Sequence, residues 1–445
     1  MNTELNNKKV AVIGLGISNI SLIKYLIKHD LKKLTIFDTR HNPPHVGDLP
    51  VGIDLRLGEI DGNTLLDFDI VVISPGISIY KPEIQAVLKA GIEVVGDVEL
   101  FARVAKAPII GITGSNGKST VTTLVGYMAD VAGIKVKIGA NIGIPVFDIL
   151  ADDVELYVLE LSSFELETTK SLKLAACTIL NVSEDHLDRY HGSIEEYAQA
   201  KKAIFKHCNN VIVNRDDKRT YPNADDLDNH TIISFGLDNQ CYGIERAVEG
   251  TYLTINQERI INVNELRVYG EHNYLNALAC LALTQCVGIT REAQVKALRN
   301  FSGLPHRCQL AKQIKGASYY NDSKATNVAS TEAAIVGLRD LHKAGILLLA
   351  GGLGKGQDFT PLKKYLGHEV AKVFCFGKDK KQILDLSDEY CVNTETMEEA
   401  LNLAYEQAKV GQAVLLSPAC ASFDQFTGFE QRGQIFVDLV SNLKE

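Results

Sequence analysis

The chain carries a glycine-rich turn at residues 114–120, which reads Gly114-Ser115-Asn116-Gly117-Lys118-Ser119-Thr120. The apolar run Ile109–Ile112 before the turn predicts a buried strand, and residues from about Ser119 to Ala132 have a helical pattern. Such a setting suits a phosphate loop, because backbone N–H groups and the positive helix end converge on phosphate oxygens. Lys118 can neutralise β- and γ-phosphate charge, and the hydroxyl of Ser119 or Thr120 can reach Mg²⁺. The turn therefore predicts a site for a nucleoside triphosphate.

This turn departs from the general phosphate-loop pattern at one position. The pattern places a glycine five residues before Gly117, where this chain has Ile112, and Gly111 lies one position earlier. The alternative is an ordinary glycine turn that opens a helix. We favour a variant phosphate loop, because a buried strand and a good helix flank the turn.

Strand and helix signals alternate along the whole chain. The alternation begins near Lys9, starts again near Pro108 and starts a third time near Gly303. Alternation of this kind is typical of parallel sheets with helices on their faces. Between residues 215 and 270 short alternating segments such as Tyr252–Ile255 indicate a β-rich insertion. The sequence thus predicts an α/β protein with three units.

Composition excludes several other classes of protein. The formal net charge of -9 argues against duplex nucleic acid as a partner, because phosphates are neutralised by Lys and Arg. Nine cysteines without a Cys-x-x-Cys pair favour buried thiols in a reducing compartment over disulfides or a zinc site. Residues 273–290 carry no formal charge, yet polar side chains interrupt them, so we expect a buried helix and no membrane span. We therefore expect a cytoplasmic protein.

A second glycine turn lies near the start of the chain, in the run Gly14-Leu15-Gly16-Ile17-Ser18-Asn19. It resembles the dinucleotide fingerprint, with Asn19 in place of the third glycine. Asp38 follows about 20 residues later at a strand end, where a carboxylate could hold a ribose hydroxyl. The run favours a nucleotide or nucleotide-sugar diphosphate. A purely structural strand–turn–helix is the alternative.

Polar residues also follow the predicted strands of the central unit. Glu160 ends a buried strand and is well placed to hold Mg²⁺. The run from Ser183 to Tyr190 packs five ionisable side chains into eight residues, which favours a second metal or substrate site over a solvated loop. Lys201 and Lys202 lie on the next predicted helix, where lysines are normally surface groups.

Three polar or glycine-rich loops follow strands in the last unit, at 321–327, 349–356 and 417–422. Open α/β sheets bind ligands at this edge. Asp322 could accept ribose hydroxyls, and Lys324 could meet phosphate charge. Cys420 has no histidine close in sequence, so a buried thiol is a better interpretation than a nucleophile.

Taken together, these segments resemble the Mur ligase family nearly from end to end. The resemblance is carried by Gly14–Ser18, Gly114–Thr120, Asn141–Gly143, Glu160–Phe164, Glu184–Tyr190, Gly270–Asn276, His306-Arg307, Asn321–Asn327, Gly351–Phe359 and Ser417–Gly433. It implies a UDP-substrate-binding Rossmann-like domain at 1–106, a central P-loop ATP-binding domain at 107–302 and an amino-acid-binding Rossmann-like domain at 303–445. It also implies an ATP-dependent ligase that acts through an acyl phosphate, with UDP-MurNAc-L-Ala and D-glutamate as substrates, and we expect a monomer.

The resemblance further implies roles for individual residues. Lys118 would bind the γ-phosphate, Ser119 and Glu160 one Mg²⁺, and His186 a second Mg²⁺, with His186 also orienting or deprotonating the attacking amine. In similar enzymes a carbamylated helix lysine supplies a further metal ligand, which is Lys201 here, or Lys202 if the spacing is one residue off. The nucleotide contacts implied are Gly114–Thr120, Asn273, Asn276, Arg307, Asp322 and Lys324. The substrate contacts implied are Ser18, Asp38, Thr39, Arg40, Gly76, Asn141, Thr326, Lys355, Ser422 and Phe429.

Two positions depart from the family pattern: Asn19 replaces a usual glycine, and Glu165 stands where a glutamine is common. Within the ligases, a sister Mur ligase or a folyl-polyglutamate ligase is the nearest alternative. A nicotinamide-dependent oxidoreductase would rest on Gly14–Asn19 and Asp38, and the phosphate loop counts against it. A GTPase-like switch would need a base-reading motif such as Asn-Lys-x-Asp, which the sequence lacks.

Overall fold

A computed structural model describes residues 3–185, 189–225, 230–268, 270–339 and 341–444. Its strands are β1 (Lys9–Ile13), β2 (Lys33–Asp38), β3 (Asp54–Leu57), β4 (Ile70–Ile73), β5 (Glu93–Val95), β6 (Ile109–Thr113), β7 (Val136–Ala140), β8 (Leu156–Glu160), β9 (Leu174–Ile179), β10 (Cys208–Asn214), β11 (Thr231–Phe235), β12 (Tyr242–Ala247), β13 (Gly250–Ile255), β14 (Glu258–Asn262), β15 (Gln309–Ile314), β16 (Ala317–Asn321), β17 (Ile346–Gly351), β18 (Val370–Phe376), β19 (Cys391–Asn393) and β20 (Ala413–Leu416).

Its helices are α1 (Ile17–Leu26), α2 (Gly62–Leu65), α3 (Pro82–Lys89), α4 (Asp97–Ala102), α5 (Lys118–Val131), α6 (Ser163–Glu167), α7 (Ile194–Lys202), α8 (Glu271–Gln285), α9 (Arg291–Asn300), α10 (Val328–Arg339), α11 (Lys381–Leu384), α12 (Met397–Gln407) and α13 (Phe429–Asn442). Among the described residues, no helix is both long enough and apolar enough to cross a bilayer.

The first sheet is entirely parallel, with strand order β3-β2-β1-β4-β5. Its inner strands are apolar runs such as KVAVI and IVVI, which suit burial on both faces under helices. Val12 and Val72 are fully buried in the core that α1 covers. The carboxyl ends of β1 and β4 lie side by side. β1 is followed by the N-terminal glycine turn, Gly14–Asn19, and β4 by the loop after Ile73.

The central sheet has the order β14-β13-β12-β11-β10-β9-β6-β8-β7. The seven strands β6 to β12 pair in parallel. β13 and β14 add an antiparallel edge beside β12. The β-rich stretch predicted after residue 215 therefore extends this sheet. The glycine turn 114–120 joins the buried strand β6 to α5, as the sequence predicts.

The third sheet has the order β15-β16-β20-β17-β18-β19, with only β15 antiparallel to its neighbour. Apolar cores cover both of its faces. The three sheets confirm the predicted α/β fold class. They lie within the ranges 1–106, 107–302 and 303–445, whose limits remain a prediction.

The described residues group into two compact units. The first consists of Met1–Glu265 with Leu275–Arg299 and contains the first two sheets. The second consists of Leu266–Tyr274 with Asn300–Glu445 and contains the third sheet.

Candidate active site

The turn after β6 is shaped around Gly117, which caps α5 with a left-handed backbone at φ +85°. A Cβ atom at this position would lie 2.5 Å from Oδ1 of Asn276, so only glycine fits. The ammonium of Lys118 folds back over the turn and donates to the carbonyls of Gly114 at 2.8 Å and Ser115 at 3.0 Å. Ser119 and Thr120 follow in the first turn of α5. The predicted phosphate-binding residues are thus together at a helix N-terminus.

The segment after β9, residues 181–183, forms hydrogen bonds with this turn. Asn181 accepts from the backbone N–H of Asn116 through its side chain and from that of Ser115 through its carbonyl. Ser115 Oγ exchanges hydrogen bonds with the backbone of Ser183, at 3.0 and 2.9 Å. These contacts fix the glycine turn against the start of the run 183–190. Sequence reasoning did not identify Asn181, since nothing local marks it as a partner of the turn.

Glu160 ends β8 beside the carboxyl end of β6, where the glycine turn begins. Its Oε1 accepts from the side chain of Asn141 at 2.6 Å. Among the described residues, no hydrogen-bond partner is found for its buried Oε2. A buried carboxylate oxygen of this kind fits a divalent cation, whose preferred ligands are oxygens. The buried carboxylate of Glu160 therefore suits a metal-binding role, and Asn141 orients that carboxylate through its hydrogen bond; the substrate contact predicted for Asn141 stays a prediction.

The predicted metal partner His186 lies outside the described residues. In the part of the chain that is described, no group of three or more His, Cys, Asp and Glu side chains is arranged to hold a metal ion. A second cation site therefore rests on sequence alone.

Lys201 is buried, with 1% of its surface exposed, although helix lysines are normally surface groups. Its Nζ donates to the carbonyl of Gly114 at 3.1 Å and lies 4.3 Å from the ring centre of Tyr197. Burial, helped by the charge of Lys118, lowers the pKa of Lys201 to about 7. The neighbouring Lys202 instead donates to Asn223. The structure therefore brings Lys201, and not Lys202, to the glycine turn.

Helix α6 follows Glu160 closely and begins with a capping box. Ser162 Oγ accepts from the backbone N–H of Glu165, and the Glu165 carboxyl accepts from the N–H and hydroxyl of Ser162. Burial, helped by the charge of Asp97, raises the pKa of Glu165 to about 8. The residue that departs from the family pattern is thus a buried part of the helix cap.

In the first sheet, Asp38 holds the N-terminal glycine turn, Gly14–Asn19, by hydrogen bonds. Its Oδ2 accepts from the backbone N–H of Leu15 and from Arg40, both at 2.7 Å, and its Oδ1 accepts from the backbone and Nε of Arg40. The Arg40 hydrogen bonds lower the pKa of Asp38 to about 2. Asn19 fills the place of the missing glycine by donating to the carbonyls of Ile13 and Gly14. Both Asp38 and Asn19 therefore shape the turn through its backbone.

Asp38→Asn should lower the free energy of unfolding at neutral pH by about 1–3 kcal/mol, since an amide cannot accept from all these donors. The pKa of Asp38 is lower in the folded chain than in the unfolded one, so its contribution is complete above 3.8 and is lost as pH falls to about 2. In urea unfolding, the difference in the free energy of unfolding between wild type and Asp38→Asn should become smaller as the pH falls from 3.8 to about 2. Asp67→Asn, at an exposed pair with Lys9, is the matched control and should change the free energy of unfolding far less, because a solvated surface pair contributes little. Equal losses in both variants would contradict this account.

The other residues predicted for the uridine diphosphate pocket lie on the same edge of the first sheet. Ser18 is in the first turn of α1, Thr39 follows β2, and Gly76 is in the exposed loop after β4. Sequence reasoning included Arg189 in the run 183–190 but gave it no role of its own; it donates to the carbonyls of Pro75 and Ile77 in that loop. No local pattern could have identified these two acceptors, because they are more than one hundred positions away.

In the second unit, the predicted residues cluster at the carboxyl ends of β16, β17 and β20. Asp322 accepts from the backbone N–H of Cys308 at 3.0 Å and from Ser417 Oγ at 2.7 Å, and burial raises its pKa to about 7. Lys324 Nζ lies 3.7 Å from the ring centre of Phe429. Arg307, Thr326, Lys355 and Ser422 lie on the loops around them.

Arg432 is a further residue that sequence reasoning missed. It is fully buried in α13. Its guanidinium donates to Oγ and to the carbonyl oxygen of Ser323, and also to the carbonyl oxygen of Cys420. It thereby joins the loops after β16 and β20. A signal existed, because Arg432, Phe436 and Val440 share one face of α13 at a spacing of four residues. Cys420 is a buried thiol whose pKa burial raises to about 12, which agrees with the prediction that it is not a nucleophile.

A cavity of about 660 Å³ opens at the same edge of the third sheet. Its walls include Leu353, Lys378, Lys380, Phe423 and Asp424. Ligand pockets commonly have roughly this volume. The second unit therefore has an open pocket at this edge, lined by Phe423 and Asp424, which follow Ser422 in the sequence.

Three family profiles match this chain. They are described as the Mur ligase MurD-like N-terminal domain, over residues 8–96, the Mur ligase middle domain, over 112–284, and the Mur ligase glutamate ligase domain, over 306–420. The chain belongs to the Mur ligase family and is an enzyme. This confirms the resemblance inferred from the sequence.

Among curated relatives, the UDP-N-acetylmuramoylalanine--D-glutamate ligase of Salmonella paratyphi A is 47% identical over 443 residues, covering 99% of both chains. The enzyme of the same name from Escherichia coli K12 is 46% identical with the same coverage. Among solved structures, MurF from Acinetobacter baumannii covers 99% of this chain and 92% of its own, with a TM-score of 0.61 and 18% identity. The MurC enzyme of Thermotoga maritima, a UDP-N-acetylmuramate-alanine ligase, covers 98% and 100%, with a TM-score of 0.59 and 18% identity. These last two likenesses concern the fold.

Proposed function

We propose that the protein is a ligase that couples D-glutamate to UDP-N-acetylmuramoyl-L-alanine with cleavage of ATP to ADP and phosphate, in the synthesis of peptidoglycan precursors. The main support is the full-length identity of 46–47% to enzymes of that name. The arrangement of Lys118, Glu160 and Lys201 around the glycine turn supports phosphoryl transfer as the chemistry. We also propose that the enzyme acts as a cytoplasmic monomer and serves cell-wall growth, and thereby cell shape and division.

In this proposal the glycine turn holds the triphosphate of ATP through backbone N–H groups at the start of α5. Lys118 offsets the charge that develops on the transferred γ-phosphoryl group, so catalysis is mainly positioning and electrostatics. The terminal carboxylate of the UDP substrate attacks that phosphorus, which gives an acyl phosphate and ADP. The amine of D-glutamate then attacks the acyl carbonyl, and phosphate leaves from a tetrahedral intermediate.

Glu160, Ser119, His186 and a carbamylated Lys201 are the residues proposed to hold Mg²⁺. The fit is supported by the buried Oε2 of Glu160 and by the low pKa of the Lys201 amine. When bound, the cation neutralises charge on the phosphoryl oxygens. Asn141 orients the Glu160 carboxylate through its 2.6 Å hydrogen bond.

The substrates are proposed to divide between the parts of the chain that carry matching residues. Ser18, Asp38, Thr39, Arg40 and Gly76 belong to the uridine diphosphate pocket of the first sheet, with Asp38 acting through the turn backbone. Thr326, Lys355, Ser422 and Phe429 are proposed for D-glutamate. Asn273, Asn276, Arg307, Asp322 and Lys324 are proposed to contact ATP.

The decisive experiment measures phosphate release from ATP with UDP-N-acetylmuramoyl-L-alanine and one amino acid at a time. We expect release with D-glutamate and none above background with L-glutamate, L-lysine or diaminopimelate. Omission of Mg²⁺ should abolish it. Release with L-lysine or diaminopimelate in place of D-glutamate would instead identify a sister ligase.

A further inference from the structure

We propose that Arg189 is a positioning residue that fixes the substrate loop, defined as residues 74–77 between β4 and α3, against the phosphoryl-transfer edge of the central sheet. This inference rests on the function proposed above. It assigns a role to a residue that touches neither substrate in that mechanism.

The side chain of Arg189 is 10% exposed, and its guanidinium contacts both the loop after β4 of the first sheet and α6, which follows β8 of the central sheet. Towards the first sheet, Nη1 donates to the carbonyl of Pro75 at 3.0 Å and Nη2 to that of Ile77 at 3.4 Å. Towards the central sheet, Nη2 forms an ion pair with Glu167 at 2.6 Å. A single planar group thus binds both sides.

Further contacts hold Arg189 and Glu167 on the central-sheet side. The ring of Phe164 lies under the guanidinium, 4.0 Å from its carbon, and Tyr190 donates to the second oxygen of Glu167 at 2.7 Å. Glu167 is 4% exposed and ends α6, the helix that begins three residues after Glu160. Arg189 is therefore anchored to the element that follows the proposed metal ligand.

On the other side, the substrate loop contacts the N-terminal glycine turn, Gly14–Asn19. Ser74 is bonded through its N–H to the carbonyl of Ile13. A Cβ built on Gly14 would lie 3.0 Å from both Ile77 Cδ1 and Ser74 Cβ, so the substrate loop packs directly over the turn. A displacement of this loop would move the proposed uridine diphosphate pocket with it.

Arginine suits this task in a way that lysine does not. Its planar fork can donate to two carbonyls and a carboxylate at once while its face stacks on an aromatic ring. A lysine ammonium keeps the charge for Glu167 but has no flat face and cannot satisfy the same three acceptors in one plane. Since the muramoyl carboxylate must meet the γ-phosphate within bonding range, a shift of about 1 Å between the two sheets can cost on the order of 100-fold in rate.

The test is steady-state kinetics of Arg189→Lys with each substrate varied in turn. We expect KM for the UDP substrate to rise about 10-fold and kcat to fall about 10-fold, with KM for ATP within about 2-fold of wild type. Partial misfolding would lower kcat alone, because an inactive fraction does not alter KM. An unchanged KM for the UDP substrate overturns the proposal.

Arg215→Lys is the matched control, since Arg215 is 13% exposed and binds Asp238 together with the carbonyls of Gln240 and Tyr242. It should leave both KM values unchanged. If Arg189→Lys does not fold, Phe164→Leu keeps the ion pair and removes the stacking face, and it should raise KM for the UDP substrate about 3-fold. Unchanged KM in that variant also overturns the proposal. Absence of D-glutamate-dependent turnover in wild type would instead refute the proposed function.

Discussion

Lys118→Ala should lower kcat on the order of 1000-fold, with a comparable loss in affinity for magnesium-ATP. The Lys118 ammonium already lies over the turn, 2.8 and 3.0 Å from the carbonyls of Gly114 and Ser115. A phosphate bound at the N-terminus of α5 would meet this cation at the point where charge develops during transfer. Alanine removes the charge and leaves the backbone donors of the turn intact.

The measurement combines phosphate release with calorimetric titration of magnesium-ATP. Lys135→Ala is the control, because Lys135 is an exposed lysine of the same sheet paired with Asp153. It should match wild type in both assays. If Lys118→Ala retained wild-type turnover, or bound nucleotide as tightly as wild type, the phosphate loop would be assigned wrongly.

Lys201→Met should also lower kcat on the order of 1000-fold, and yet it should raise the melting temperature. A neutral amine reacts with carbon dioxide to form a carbamate and release a proton, and a pKa of about 7 leaves much of the Lys201 amine neutral under ordinary conditions. Methionine keeps the apolar stem and removes both the amine and the proposed metal ligand. Activity and stability should therefore change in opposite directions.

The stability effect has a definite pH dependence. The pKa of Lys201 falls from 10.5 in the unfolded chain to about 7 in the folded one, so the unfolded state binds more protons between those values. Wild-type stability gains from this group as pH rises through that window, and its burial cost is complete below pH 7. In buffers free of carbon dioxide, the advantage of Lys201→Met should be larger at pH 6 than at pH 9.

Carbon-13 NMR after incubation with labelled bicarbonate would detect the carbamate directly. A carbamate signal in wild type that is absent from Lys201→Met, and retained in Lys202→Met, would support the assignment. Loss of the signal in Lys202→Met alone would move the modification to the neighbouring residue.

The sequence was most informative where function depends on neighbours along the chain. The turn ending in Lys118 could be predicted because its strand, glycines and helix are contiguous. The strand-end position of Glu160 followed for the same reason. Family resemblance then supplied the substrates, which periodicity and spacing alone could not.

Contacts between distant segments were beyond the sequence. Asp38 was predicted as an acid at a strand end, but its bond to Leu15 depends on the pairing of β1 with β2. From its local pattern Lys201 is an ordinary helix lysine, and only the family resemblance singled it out. The fold adds the physical reason, because it places the buried Lys201 of α7 beside the phosphate loop. Arg189 lies in a run that the sequence marked, but its contacts with Pro75 and Ile77 could not be predicted, because those acceptors lie in a loop after a strand of another sheet.

The protonation state of Glu165 decides how far this position departs from a glutamine. With a pKa of about 8, its side chain retains a proton at neutral pH and is a carboxylic acid with no net charge. An uncharged acid matches a carboxamide in shape and offers the same pairing of one acceptor oxygen with one donor group. Under neutral conditions this position is therefore an electrostatic mimic of glutamine, and only in alkaline solution does Glu165 add a full negative charge that a glutamine would lack.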